Sequence, residues 1–414
     1  MLYILRRPEV GFVLLALLAP ISNYLRIGSI KLVYIIGACL LAGTLYWHIR
    51  QKGARFPKFA VAYAMIFLSG ITYAWIRGGF SEFQTVVGLT GSVLIVCAVF
   101  LLYREVGRIE RWLWVFALSV AISNIVIVGI LLTYPALRPV LFDISSEGVR
   151  LRGTLGNPNT FGGAQLLAFS IFAYFVFKKG RGYRVMSGIG GVVVFLALMA
   201  TQSRSAIFGL FFGVAIVGFF AVRASRRPLT TTAVICFSGI FMVTAFLSLP
   251  DEIAGYRLAR VGNTEEVSVY EAGVNDIVEG RFFLYRAALR TIWENPSGVG
   301  FIEHEALTEV IARNSIRGTS KIPHNFVLSY LVKYGVVWGS IMSVVWFAPL
   351  ASALKKFWKR KVPLNSISCF MLIGVTAYLV HNLLHSITNW VYFWTFWGIF
   401  VNTIQLEDRT RTRK

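Results

Sequence analysis

Acidic side chains are scarce in this 414-residue chain: 19 Asp and Glu stand against 41 Lys and Arg, and charged residues together make up only 14%. Every Asp and Glu falls in a polar segment or at the end of an apolar run. No carboxylate is left inside an apolar run to relay protons or couple sodium, which argues against an ion-coupled transporter or lipid flippase. The lack of two similar halves with helix breaks at matching places argues the same way. Cysteine is nearly absent. Cys39, Cys97, Cys236 and Cys369 sit one per apolar run without CxxC spacing, so they read as small core residues and not as disulfides or metal ligands.

Hydrophobic residues, by contrast, make up 56% of the chain, in runs long enough to cross about 30 Å of hydrocarbon. This is the composition of an all-α polytopic membrane protein, with about 12 transmembrane helices centred near residues 8–25, 31–48, 59–76, 84–102, 112–134, 160–177, 185–201, 206–222, 229–249, 324–347, 365–384 and 388–405. The net charge of +22 is not gathered into one patch. Arg6 and Arg7 together with Arg50–Lys58, Arg104–Arg111, Lys178–Arg184, Arg223–Arg227, Lys355–Lys361 and Arg409–Lys414 hold 25 of the 41 cations, in alternate loops. That is the positive-inside pattern, and it places both termini inside and the segments Leu137–Thr160, Thr201–Ser205, Pro250–Pro323 and His381–Ser386 outside. Cations divided among short turns do not make a nucleic-acid surface, so no nucleic-acid partner is expected. The first apolar run, with Leu17–Ala19 near its end, resembles a signal peptide. It is expected to stay as the first span, because its removal would reverse the charge bias of every later loop.

The domain plan is therefore spans 1–9 over residues 1–249, one large external loop subdomain over 250–323, and spans 10–12 with a basic tail over 324–414. Within the loop, residues 279–294 (EGRFFLYRAALRTIWE) read as an amphipathic helix. At 100° per residue Glu279, Arg286, Arg290 and Glu294 share one arc, and Phe282, Tyr285, Ala288, Leu289, Ile292 and Trp293 the other. Arg281 falls in the middle of the apolar arc, where a charge pressed against the membrane body needs a partner.

Two further constellations face outward. In Arg150–Gly163 (RLRGTLGNPNTFGG), Asn157 is a natural N-cap with Pro158 at the first helical position, and the exposed amides beside Arg152 would receive an anion. In Thr201–Ser205 (TQSRS), Arg204 opens a span in which Gly209 and Gly213 permit close helix packing. Three arginines from three segments suit a pyrophosphate, because guanidinium groups are permanently charged and offer fixed donors. His324, beside Asn325 at the loop-to-membrane junction, is placed to take a proton from a hydroxyl. Lys333, about nine residues into the tenth span, is the best intramembrane charge for a transporter, and it serves equally to line a lipid-phosphate cavity beneath His324. His381 and His385 have an i, i+4 spacing that suits a metal, but no third ligand accompanies them, so packing or a minor acceptor-site role is the reading.

The order RLRGTLGNPNTFGG, TQSRSAIFG, GRFFLYRAALRTIWENPSGVGF, PHNFVLSYLVKYGVVWG resembles the bacterial O-antigen ligase (WaaL) family and its relatives among the Wzy-type polymerases, over about residues 150–345. The resemblance implies a GT-C-type glycosyltransferase in the bacterial inner membrane, with its active site facing the periplasm. Its donor would be an undecaprenyl-pyrophosphate-linked glycan and its acceptor the lipid A core or, in a polymerase, another lipid-linked glycan. No metal, nucleotide or other cofactor is implied. Carried over motif by motif, Arg204 and Arg281 bind the pyrophosphate and His324 is the base, with Arg152, Asn157 and Asn159 in support.

Overall fold

A computed structural model describes residues 2–22, 24–27, 30–50, 58–102, 106–145, 148–178, 180–224, 284–302, 304–313, 325–359, 366–384 and 391–412. Its helices, in chain order, are α1 (Leu2–Arg6), α2 (Pro8–Leu18), α3 (Leu32–Arg50), α4 (Lys58–Arg77), α5 (Phe83–Leu102), α6 (Val106–Thr133), α7 (Arg138–Leu141), α8 (Pro158–Phe177), α9 (Arg181–Ala200), α10 (Arg204–Ala224), α11 (residues 284–294), α12 (His304–Arg313), α13 (Phe326–Trp358), α14 (Ile367–Leu384) and α15 (Val391–Thr412). Helix dominates because a backbone in hydrocarbon must satisfy its own hydrogen bonds. Eight of these helices are long and apolar enough to cross a membrane, and Pro8–Ile21 and Ile367–Leu383 are shorter apolar helices. The span read at 229–249 lies outside the described residues, as does Cys236. Two short antiparallel hairpins depart from the all-α reading: β1 (Arg26–Ile27) with β2 (Ile30–Lys31), and β3 (Phe142–Ser145) with β4 (Gly148–Leu151).

Contacts between helix ends bear out the two-sided charge pattern. Arg108 pairs with Glu9, and Glu110 takes both Lys178 and the Tyr174 hydroxyl. The Arg223 guanidinium lies 4.0 Å over the Trp358 ring. All join segments that the pattern assigns to the basic face. On the opposite face the Thr154 hydroxyl donates to the Pro20 carbonyl, and Arg77 Nη2 to Ser297 Oγ at 3.0 Å.

The expected span at 324–347 needs correction. α13 holds 33 residues, but Gly335 inside it has φ 77° and ψ 175°, which no helix contains. The Phe326 and Phe347 rings lie 5.8 Å apart, whereas 21 residues of unbroken helix would separate them by about 31 Å. Trp346 Nε1 donates to the Tyr330 hydroxyl at 3.2 Å, and a side chain on Gly339 would strike the Tyr330 carbonyl at 2.8 Å. α13 is thus a helical hairpin. Its first arm, from Phe326 to Tyr334, folds back along the second, which at 23 residues reaches about 34 Å and is long enough to span alone.

The NPSGVGF stretch holds the hairpin tip. Val299 and Gly300 amides donate to the Val332 and Lys333 carbonyls at 2.9 and 3.0 Å, and the Val336 amide to Pro296 at 2.8 Å. Tyr73 and Arg77 reach the Ser297 and Gly298 carbonyls, and the Phe301 amide bonds Ala74 at 2.8 Å. Only glycine fits at the centre: a Cβ on Gly298 (φ 81°) would lie 2.4 Å from Gly335 N, and one on Gly335 2.5 Å from the Ser297 carbonyl carbon. Lys333 therefore sits near this outer tip, its ammonium 5.8 Å above the Phe301 ring, and not deep in a span.

α11 differs from the reading in its phase. Leu284, Ala287, Ala288, Thr291 and Ile292 are buried, and the alanines and Ile292 pack with Val332, Leu307 and Ile311, whereas Leu289 and Trp293, expected inward, are 56% and 86% exposed. Small residues let α11 approach α13 closely, and its large apolar side chains are left to face outward.

Candidate functional site

Ser205, Gly209 and Gly213 lie at i, i+4, i+8 on one face of α10, and Ile373, Ala377 and His381 do so on α14. The faces meet antiparallel in strict register. A Cβ on Gly209 would lie 2.3 Å from the Ala377 carbonyl oxygen, and one on Gly213 2.6 Å from that of Ile373. One turn on, this contact brings Ser205 Oγ to within 2.8 Å of His381 Nδ1. α8 closes the third side, since a Cβ on Gly162 would touch Thr201, Ser203 and Ala206, and one on Gly163 the Tyr378 ring.

A polar network fills this junction. His381 Nε2 lies 3.1 Å from the Asn159 carbonyl, Ser203 Oγ donates to Asn159 Oδ1 at 2.8 Å, and Arg150 donates to the same oxygen at 3.0 Å and to the Thr201 carbonyl at 3.2 Å. A carbonyl only accepts, so Nε2 carries the proton. In the neutral ring Nδ1 then accepts from the Ser205 hydroxyl. Ser203, Ser205 and His381 are buried. Between the two serines Arg204, first residue of α10, is exposed. The turn before it is tight: Gln202 has φ 49°, and the Ser203 amide bonds Thr201 Oγ1 at 3.2 Å.

Asn157 caps α8 as its sequence implies, its side chain accepting from the Asn159 and Thr160 amides at 2.9 and 3.2 Å, with Pro158 following. Those amides are thereby occupied. Arg152 donates to the Val140 carbonyl at 2.9 Å and the Pro139 carbonyl at 2.6 Å, tying α7 to the strand that carries it. Asn159 thus belongs to the network that holds the residues on either side of Arg204, Asn157 supports it as a cap, and Arg152 faces α7. Arg281, His324 and His385 lie outside the described residues. Sequence reasoning missed Arg150, Ser203 and Ser205 as participants and read His381 as a packing or minor acceptor-site residue. Both His381 ring nitrogens are instead engaged within the network. The signal that would have found it is the matched four-residue spacing on α10 and α14.

Asn325 is described, and its side chain caps the first arm of α13, accepting from the Val327 and Leu328 amides at 3.0 and 3.1 Å. An aromatic path links this end to the network. Phe326 lies against Phe347, Trp346 stacks on Phe393 at 5.2 Å, Phe393 on Tyr378 at 3.9 Å, and Tyr378 meets the His381 ring at 5.9 Å. Trp346 is ten residues, about 15 Å, from Lys356 at the basic face, and Tyr378 is eleven residues, about 17 Å, from the start of α14. The capped end of the first arm therefore lies about 15 Å from the basic face, below Arg204, which opens α10 nineteen residues, about 28 Å, before Arg223 at that face.

Residues 189–343 match the family model described as O-antigen ligase. The match spans most of α9, then α10 to α12, and ends inside the second arm of α13. No curated protein matches the chain.

Proposed function

We propose that this chain, whose residues 189–343 match the family model described as O-antigen ligase, is an O-antigen ligase. It moves a glycan from undecaprenyl pyrophosphate to the lipid A core at the periplasmic face of the bacterial inner membrane. The twelve-span GT-C architecture is part of this reading. The observation that carries it is the hydrogen-bonded network that holds the turn of Arg204 at the end of α10 remote from the basic face, joined through the aromatic contacts to the capped end of α13. His324 is one peptide from Asn325, hence about 3.8 Å away along the chain.

The reaction is a single displacement with inversion. His324 takes the proton of the acceptor hydroxyl as its oxygen bonds to the anomeric carbon. The bond from that carbon to the pyrophosphate oxygen breaks, and its electron pair leaves with the lipid pyrophosphate. Arg204 and Arg281 stabilise the charge that develops there. If the helix read over 279–294 in the sequence holds, Arg281 shares an arc with Ala288 and Ile292, both buried in α11. Asn159 holds the frame around Arg204, Asn157 caps the helix that carries Asn159, and Arg152 anchors the adjoining strand. With permanent guanidinium charge in place, the reaction needs no divalent metal and no nucleotide.

The test is transfer by purified protein from lipid-linked donor to lipid A core in excess EDTA. Product should form with the wild type and vanish with His324→Ala, while Arg281→Ala loses orders of magnitude, about 10²-fold or more, and the exposed Arg286→Ala and Arg290→Ala lose a few-fold at most. Restoration by magnesium after EDTA inhibition, or full activity of His324→Ala, defeats the mechanism. A longer lipid-linked glycan as product would keep the chemistry and make the protein a polymerase.

A further inference from the structure

We infer that His381 is a positioning residue for Arg204, acting through Ser205 and the Asn159 carbonyl. This rests on the proposal that Arg204 binds the donor pyrophosphate. Arg204 stands at the first helical position of α10, between two serines whose hydroxyls both belong to the network. The side chain is exposed, and its aim depends on how firmly residues 203–205 are held. Two side-chain hydrogen bonds hold them, and Arg150 braces the residues around them. Ser203 Oγ donates to Asn159 Oδ1, Arg150 grips that oxygen together with the Thr201 carbonyl, and Ser205 Oγ donates to His381 Nδ1.

His381 is the member that ties the two strands of this network together. Its Nε2–H fixes the main chain of Asn159 at 3.1 Å, and its Nδ1 fixes Ser205 at 2.8 Å. The ring itself is fixed by the edge of Tyr378 and by the close approach of α10 to α14. It is buried one turn beyond a fully buried backbone contact, so it has little freedom to follow a displaced Ser205. No proton leaves or enters this network during transfer. Its contribution is that the guanidinium is already in place when the pyrophosphate charge grows, which is where misplacement by a fraction of an ångström is felt in turnover.

The test is a double-mutant cycle on the purified full chain, with the lipid-linked donor titrated at saturating acceptor. His381→Ala should lower kcat/KM for the donor by about tenfold or more, and Ser205→Ala, which breaks the same bond without leaving a ring-sized cavity, should do likewise. His381→Asn, whose side-chain oxygen stands where Nδ1 accepts, should recover to within about threefold of wild type. In an Arg204→Ala background, adding His381→Ala should cost less than about twofold, because its effect passes through a side chain that is gone. A double mutant that falls by the product of the single losses, or a His381→Ala protein with wild-type transfer, overturns the proposal and leaves the role of Arg204 intact. If Arg204→Ala itself transfers normally, it is the pyrophosphate reading that fails, and this inference with it. A merely structural role would show as a Ser205→Ala loss tracking the melting temperature and persisting without Arg204.

Discussion

Gly335→Ala should break the hairpin of α13. The added Cβ would lie 2.5 Å from the Ser297 carbonyl carbon and 2.7 Å from the Pro296 and Ser297 carbonyl oxygens, all main-chain atoms that cannot rotate aside. A φ of 77° costs a side chain about 1–2 kcal/mol, and forcing a methyl into filled space about 1–3 kcal/mol more. The sum, about 2–5 kcal/mol, rivals the total stability of many domains. Relief requires moving 296–300 off the tip, which gives up the amides of Val299, Gly300 and Val336. The assay is melting temperature in detergent alongside transfer activity, with Gly298→Ala as the partner lesion. Gly129→Ala and Gly188→Ala are controls, since nothing lies within 4 Å of a Cβ there, and each helical glycine replaced should be neutral or gain up to about 1 kcal/mol. A Gly335→Ala protein that melts and transfers like the wild type would refute the hairpin clamp.

Spin labels at Phe326→Cys and Phe347→Cys, with the native cysteines replaced, should lie closer than half the about 31 Å of an unbroken helix, and a distance near that full value would restore the single long span. Gly209→Ala should lose transfer at least as severely as His381→Ala, because its Cβ would sit 2.3 Å from the Ala377 carbonyl oxygen and push α10 off α14. Wild-type kinetics in that variant would count against the register. Arg150→Met should lower thermal stability by about 1–3 kcal/mol, since it withdraws a charged donor from Asn159 and Thr201, and an unchanged melting curve would remove Arg150 from the frame.

Spans were legible because apolar runs between basic turns have one physical solution, and the Asn157–Pro158 helix start was legible because capping is local. The hairpin was not. Residues on both sides of Gly335 are equally apolar, so the run looks continuous, and only the paired Gly335 and Gly339 hint at a reversal. The phase of α11 failed for a related reason. Hydrophobicity points inward in water, but beside a membrane Leu289 and Trp293 are as well placed outward, and the smallness of Ala287, Ala288 and Thr291 was the better guide to the buried face. The part His381 takes in the network was not legible, because its partner Ser205 lies 176 residues away in the chain.

The family match and the network divide the site in an informative way. The matched stretch, residues 189–343, contains Arg204, Arg281 and His324, the side chains proposed to touch the substrate. Asn159 and His381, which hold Arg204's turn, and Arg150, which grips Asn159, all lie outside it. Within the matched stretch the PSGVGF segment fixes the tip of the hairpin whose other end carries Asn325, so a displacement of α11 or α12 is passed to the residue next to His324 through main-chain hydrogen bonds. On the proposed mechanism the base is thus referred to α11 and α12, and Arg204 to α8 and α14. On that mechanism donor pyrophosphate, bound between the two frames, would bring them into register, and changes in α11 that spare Arg281 should then alter kcat more than donor affinity.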